Sequence, residues 1–167
     1  MKRLIRRLFG RLYAVNHSDV LSYKGSWRKG LFHGYGILAY KNGGVYEGDF
    51  KFGTKHGFGV FSSASGFRYG GEWVDGEQTG FAKIFYKNGD RYEGTVENGV
   101  RSGIGELFQK SSQRIFKGNW THGVLSGEVQ ITSNNWKFSG TFPDRYGRAN
   151  GNLAYSDGST YAGDVTN

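Results

Sequence analysis

A 23-residue period runs through almost the whole chain. An aromatic residue, a glycine two places on and an apolar residue two places further recur from Tyr23, Tyr46, Tyr69, Tyr92, Phe116, Phe138 and Tyr161, at intervals of 23, 23, 23, 24, 22 and 23 residues. Seven recurrences in near-constant register mark an array of small, like units, each burying its apolar face against its neighbours. Function must then reside on a repeated surface or in residues outside the repeats.

Composition agrees with a thin structure. Only 37% of the residues are hydrophobic, aliphatics are scarce, and 29 glycines and 17% aromatics take their place. This material cannot build a thick two-layer core, but a sheet whose aromatics stack along its length can use it. The chain has no cysteine, which excludes disulfides, thiol nucleophiles and Cys-based zinc sites and is consistent with a reducing compartment. No stretch approaches the roughly 20 apolar residues of a membrane span. Of the net charge of +8, five positive charges lie within residues 1–18, which hold no acid. The remainder is close to balanced and predicts no nucleic-acid partner.

The second unit, YEGDFKFGTKHGFGVFSSASGFR at residues 46–68, sets out the local physics. Tyr46, Gly48 and Phe50 alternate with Glu47 and Asp49, the period of two that marks a strand with one aromatic and one acidic face. Phe52-Gly53-Thr54 signals a turn, His56-Gly57-Phe58-Gly59 leads into a second strand, and Ser65-Gly66 turns the chain back. Each unit is therefore a β-hairpin, and successive hairpins form an antiparallel meander. The opening aromatics form one column. A second holds Trp27, Phe50, Trp73, Val96, Trp120, Phe142 and Val165, and a third holds Leu38, Phe61, Ile84, Leu107, Ile131 and Leu153. These three columns are expected to be the buried ladder. Gly25, Gly48, Gly71, Gly94, Gly118, Gly140 and Gly163 share its face and are expected to make room for stacking of neighbouring rings. Gly30, Gly53, Gly76, Gly99 and Gly123 suit turn positions of positive φ. Six units would span on the order of 60 Å at about 4.8 Å per strand.

The stretches YKGSWRKGLFHGYGILAYKNGG and YEGDFKFGTKHGFGVF resemble MORN repeats, whose consensus runs roughly YEGEWKNGKRHGKGTLTYADGS. The resemblance covers residues 23–163, six units and the start of a seventh. It implies an all-β fold: an elongated single-layer antiparallel β-meander over residues 23–167. Units four to six depart from the pattern at Ser111-Ser112, at Gly127-Glu128-Val129, which lacks a second glycine, and at Pro143, Arg145 and Ala149, so the C-terminal half is expected to be less regular.

Residues 1–22 follow a different grammar. Met1, Leu4, Ile5, Leu8, Phe9, Leu12 and Val15 fall within one helical arc of about 140°, with Lys2, Arg3, Arg6, Arg7 and Arg11 outside it. This predicts a short basic amphipathic helix over residues 1–15, followed by a polar connector at Asn16-His17-Ser18-Asp19. The helix can cap the first hairpin, dock in a partner's groove, lie on an anionic membrane or act as an organellar targeting segment. Its candidate contact residues are Arg3, Leu4, Arg6, Arg7, Leu8, Phe9, Arg11 and Leu12.

No catalytic constellation is found, and no metal or cofactor is implied. His33 and His56 are one repeat apart, and no carboxylate or third ligand is periodic with them. Glu47, Glu72 and Glu93, with Asp49 and Asp90 nearby, suit a solvated strand face. No serine lies in a nucleophile elbow, and Gly57-Phe58-Gly59 lacks the Lys-Ser/Thr of a phosphate loop. Some MORN proteins carry a lipid-kinase or SET-domain methyltransferase segment, and nothing here resembles either. The expected function is a non-catalytic scaffold in a multi-subunit protein assembly, intracellular and either cytoplasmic or cytoskeletal and ciliary, as the resemblance implies. The alternative is a peripheral protein holding anionic lipid through the basic helix. Partner contacts are expected on the concave aromatic face, the helix and the edge strand at Tyr161 and Val165. That strand opens a seventh unit with nothing to cover it, so it is expected to pair with a partner or with a second copy.

Overall fold

The computed structural model describes residues 17–142 and 149–165. They form one antiparallel sheet of 13 strands in strict sequence order. The strands are β1 (Val20–Arg28), β2 (Leu31–Tyr40), β3 (Val45–Lys51), β4 (Thr54–Ser62), β5 (Arg68–Val74), β6 (Glu77–Phe85), β7 (Arg91–Glu97), β8 (Val100–Gln109), β9 (Arg114–Thr121), β10 (Val124–Thr132), β11 (Trp136–Phe142), β12 (Ala149–Tyr155) and β13 (Thr160–Val165). The meander expected from the period is thus present, in one layer, and every strand pairs only with its neighbours in sequence. The helix expected over residues 1–15, and with it Arg3, Leu4, Arg6, Arg7, Leu8, Phe9, Arg11 and Leu12, lies outside the described residues, as do Pro143 and Arg145. A single 3₁₀ turn at His17–Asp19 leads into β1, which begins at Val20, three residues before the first repeat aromatic.

Two devices set the shape of each hairpin. The first is its tight turn. Lys29-Gly30, Phe52-Gly53, Asp75-Gly76, Asn98-Gly99 and His122-Gly123 all have both central residues at positive φ, from 49° to 93°. This is the turn whose twist matches that of the flanking strands. The turn glycines behave as expected; that the residue before each also sits at positive φ was not read from the sequence. Each of four turns is tied to the unit before it, because the N–H groups of Gly53, Gly76, Gly99 and Gly123 donate to the carbonyls of Phe32, Lys55, Gln78 and Arg101.

The second device is a bulge that the sequence reading passed over. The pairing of β3 with β4 slips between Gly48 and Phe50, and like slips interrupt the hairpins β1–β2, β5–β6, β7–β8 and β9–β10. At each slip a glycine, namely Gly34, Gly57, Gly80, Gly103 or Gly127, has φ between 63° and 67°. Only a residue without Cβ enters that region at little cost, and the two extra residues on the longer side bend the strand. Two carboxylates fasten the bulge: Phe58 N–H donates to Asp49 Oδ2 and Phe81 N–H to Glu72 Oε1, both at 3.4 Å.

Candidate functional site

A one-layer sheet has two faces, and the repeat treats them oppositely. On the first, each opening tyrosine lies along its own strand. The Tyr46 hydroxyl donates to the Asp49 carbonyl at 2.9 Å, and Tyr23, Tyr69, Tyr92 and Tyr161 repeat the bond to Ser26, Glu72, Thr95 and Asp164. The ring so placed covers a cross-strand pair of glycines, Gly48 and Gly59, where a Cβ on Gly59 would lie 2.3 Å from the Tyr46 oxygen. This refines the role expected of the motif glycines, of making room for adjacent rings. Gly25, Gly48, Gly71 and Gly94 make room for the tyrosine of their own strand and for the close backbone of the strand opposite. Phe116 and Phe138 lack the hydroxyl, and the Cβ positions of Gly118 and Gly140 lie 2.7 and 2.2 Å from the Glu128 and Asn150 carbonyls of the strand opposite. In unit five Val129, buried at 2%, fills the place of the missing second glycine.

The tryptophans join units. Trp73 packs edge-on against Tyr46 of the preceding unit and Tyr69 of its own, with centroids 5.3 and 5.1 Å away, and its indole N–H donates to the Gly59 carbonyl. Trp120 reaches back likewise to Gly105. Tyr46, Phe50, Tyr69, Trp73, Tyr92, Val96 and Trp120 are all at most 4% exposed, and Phe138 is equally buried. The ladder is not uniform, however. Tyr23, Phe61, Leu107, Phe116, Phe142, Leu153 and Val165 are half-buried, Tyr161 is exposed, and Trp27 is 57% exposed. The expected burial of Trp27 is thereby corrected: among the described residues no hairpin precedes β1 for its indole to reach back to.

Two cations sit on this ring face. The Lys55 ammonium lies between the rings of Trp73, Phe61, Tyr46 and Tyr40, 4.6 to 5.4 Å from their centroids. Burial pushes its pKa down to about 8, while the ring faces offset part of that cost. Arg101 lies 4.3 Å over Trp120 and donates to the Gly123 carbonyl. Beside Arg101 an open groove of about 750 Å³ runs past Phe67, Tyr86, Asp90 and Val100. The deeply packed rings themselves leave a partner little to touch, so contact on this face falls to that groove.

Lysine and tyrosine burial set opposite pH slopes. A lysine whose pKa falls to about 8 on folding binds fewer protons than the unfolded chain between pH 8 and about 10.4, so stability rises with pH there. Burial lifts Tyr40, Tyr69 and Tyr92 to about 12, so the unfolded chain loses those protons first and stability falls as pH climbs from about 10 to 12. Lys55→Met is expected to raise stability at pH 7 by about 1–3 kcal/mol and to remove the rise between pH 8 and 10. Urea melts of both proteins across that range measure it.

The second face carries a column that the sequence reading missed. Tyr35, Phe58, Phe81 and Ile104 follow the bulge glycines at intervals of 23 residues and are 57%, 62%, 52% and 72% exposed. The signal lay in the same period that revealed the core: each stands three residues before Leu38, Phe61, Ile84 or Leu107 on its own strand, and alternation puts it on the opposite face. Cross-strand pairing sets Asp49 opposite Tyr35 and Glu72 opposite Phe58. Glu47, which accepts the Tyr35 hydroxyl, lies on the same face. Glu93 and Glu106 are bridged by Lys83 and Lys117 at 3.0 and 2.7 Å, whereas Glu47, Asp49 and Glu72 enter no ion pair among the described residues. The expected solvated acidic face is therefore acidic and apolar together.

The remaining candidates stay apart. His56 Nδ1 is 3.5 Å from the Asp75 carboxylate without a hydrogen bond, and no group of three metal-ligating side chains occurs among the described residues. No described helix is long and apolar enough to cross a membrane. Tyr161 and Val165 lie on β13, which pairs with β12 and ends the sheet among the described residues.

A family description, MORN repeat, matches residues 23–45, 46–68, 69–91 and 92–111, more than half of the chain. The match stops where the 24-residue interval breaks the period, although the hairpins continue to Val165. No curated protein matches the chain. Among solved structures, the SAS-4 (dCPAP) TCP domain of Drosophila melanogaster, in complex with a proline-rich motif of Ana2 (dSTIL), is similar with a TM-score of 0.49 and 10% identity, over 78% of this chain and 71% of that one.

Proposed function

Because the chain belongs to the MORN repeat family, we propose that it is a non-catalytic adaptor that holds other proteins within a multi-subunit intracellular assembly. One observation carries the reading: among the described residues no second layer covers the outer face of the sheet, and that face presents a periodic row of large apolar side chains. A row of large apolar side chains held at the surface at regular spacing on one face suits an interaction site. The groove beside Arg101 and the strand edge at β13 are secondary contact points, the latter open to self-association. A cytoskeletal or ciliary setting is what the family adds to this proposal.

The full chain, used as bait in native extract and followed by size-exclusion chromatography with light scattering, is expected to elute with a partner in fixed stoichiometry. Vesicles containing phosphatidylserine test the competing lipid reading, whose support is the basic pattern of residues 1–15. Sedimentation with vesicles that is lost on deleting residues 1–15, together with no stoichiometric protein partner, would replace the adaptor by a peripheral membrane protein.

A further inference from the structure

We infer that the outer column is a seat for one amphipathic α-helix of a partner protein, apolar on one side and basic along its flanks, laid across the strands of units one to four. The inference rests on the adaptor reading and names the partner's chemistry. Its first ground is pitch. Two strands separate successive rungs, so Tyr35, Phe58, Phe81 and Ile104 recur about every 10 Å along the array. Seven residues of α-helix advance about 10.5 Å, so apolar residues at i, i+7, i+14 and i+21 meet four rungs in turn. A helix of about 22 residues suffices.

The second ground is architecture. An apolar sheet face is stably covered by a helix or by another sheet. A second sheet would have to repeat the array's own twist over its whole length, whereas a helix needs only one stripe.

Charge is the third. Over the first three rungs the column is edged by Glu47, Asp49 and Glu72, in no ion pair among the described residues, whereas the acids nearer the fourth rung are already bridged by Lys83 and Lys117. Lysines or arginines three or four places from each apolar anchor would stand over those carboxylates. The seat thus has polarity as well as pitch, acidic at the end of Tyr35 and neutralised at the end of Ile104.

The test uses the full chain and a synthetic peptide of about 22 residues with leucine at heptad anchors, lysine on the flanks and alanine elsewhere. A scrambled peptide of the same composition and a copy with two central prolines are the controls. Fluorescence anisotropy is expected to give affinity for the helical peptide at least about tenfold above either control, and a loss of about tenfold or more for Phe58→Ser with Phe81→Ser. Both side chains point to solvent, and circular dichroism checks that the sheet survives. Glu47→Gln with Glu72→Gln is expected to weaken binding about threefold at low salt and little at high salt.

Equal binding of helical and scrambled peptides means charge attraction alone and overturns the inference. A proline-bearing peptide that binds as well means an extended occupant and overturns it too. A tenfold gain in affinity on deleting residues 1–16 would give the seat to this chain's own basic segment and remove the partner helix. Capture of a stoichiometric partner whose binding ignores Phe58→Ser and Phe81→Ser would leave the adaptor standing and refute this seat.

Discussion

Replacing Trp73 with alanine is expected to cost about 3–5 kcal/mol, the range for deleting a large buried ring, and to do so across two units at once. The indole is 4% exposed, packs on Tyr46 and Tyr69, stands 4.6 Å from the Lys55 ammonium and satisfies the Gly59 carbonyl. Its loss opens a cavity that a one-layer sheet cannot refill from behind. It also leaves Lys55 with one fewer ring to offset its burial. In a chain of nearest-neighbour contacts the damage should appear as faster amide exchange in β3 to β6, with β9 to β12 little changed. A melting curve that matches the unmodified protein would disprove the placement of Trp73 as the link between units.

Gly48→Val is expected to destabilise by about 2–4 kcal/mol, through overpacking and the loss of one tyrosine hydrogen bond. Valine is the better strand former and, at an open strand site, would stabilise by some tenths of a kcal/mol, so the sign of the change decides. A Cβ at residue 48 would stand 2.4 Å from the Gly59 Cα and 2.6 Å from the Phe58 carbonyl oxygen. Both are backbone atoms that cannot swing aside, and the Tyr46 oxygen lies at 2.8 Å as well. Either the strands part or Tyr46 leaves its seat. Hydrogen exchange over residues 44–62 reads the outcome: faster exchange is expected, and slower exchange would mean that Gly48 borders open space.

The period of 23 was enough to place most of the strands and nearly all of the turns, because alternation and turn chemistry act within a few residues of chain. It also identified Tyr46, Tyr69 and Trp73 as buried. What it could not supply was anything set by contact between units. Trp27 and Trp73 occupy the same place in the repeat, yet one is exposed and the other enclosed, because burial depends on the hairpin before. Gly48 and Gly59 are 11 residues apart and each reads as ordinary strand glycine. Only the pairing across β3 and β4 reveals them as the floor beneath one tyrosine. The bulge at Gly57 sets four residues of β4 against two of β3, a slip of two that leaves the alternation of apolar and polar positions intact and so leaves no mark in the sequence pattern. Phe58 takes the outer face by plain alternation from Phe61, three residues on in the same uninterrupted strand pairing.

The strictly sequential order of the strands has a mechanical consequence. Tension applied between the two ends of the sheet would load the hydrogen bonds of an outermost strand one after another, as a zipper is opened, instead of shearing many together. The array would yield unit by unit, and each yielding unit would pay out 23 residues, on the order of 80 Å of extended chain. Stretched in an optical trap, the protein should therefore lengthen in even steps at low force and recoil in the same steps when slackened, behaving as a graduated tether instead of a rigid strut.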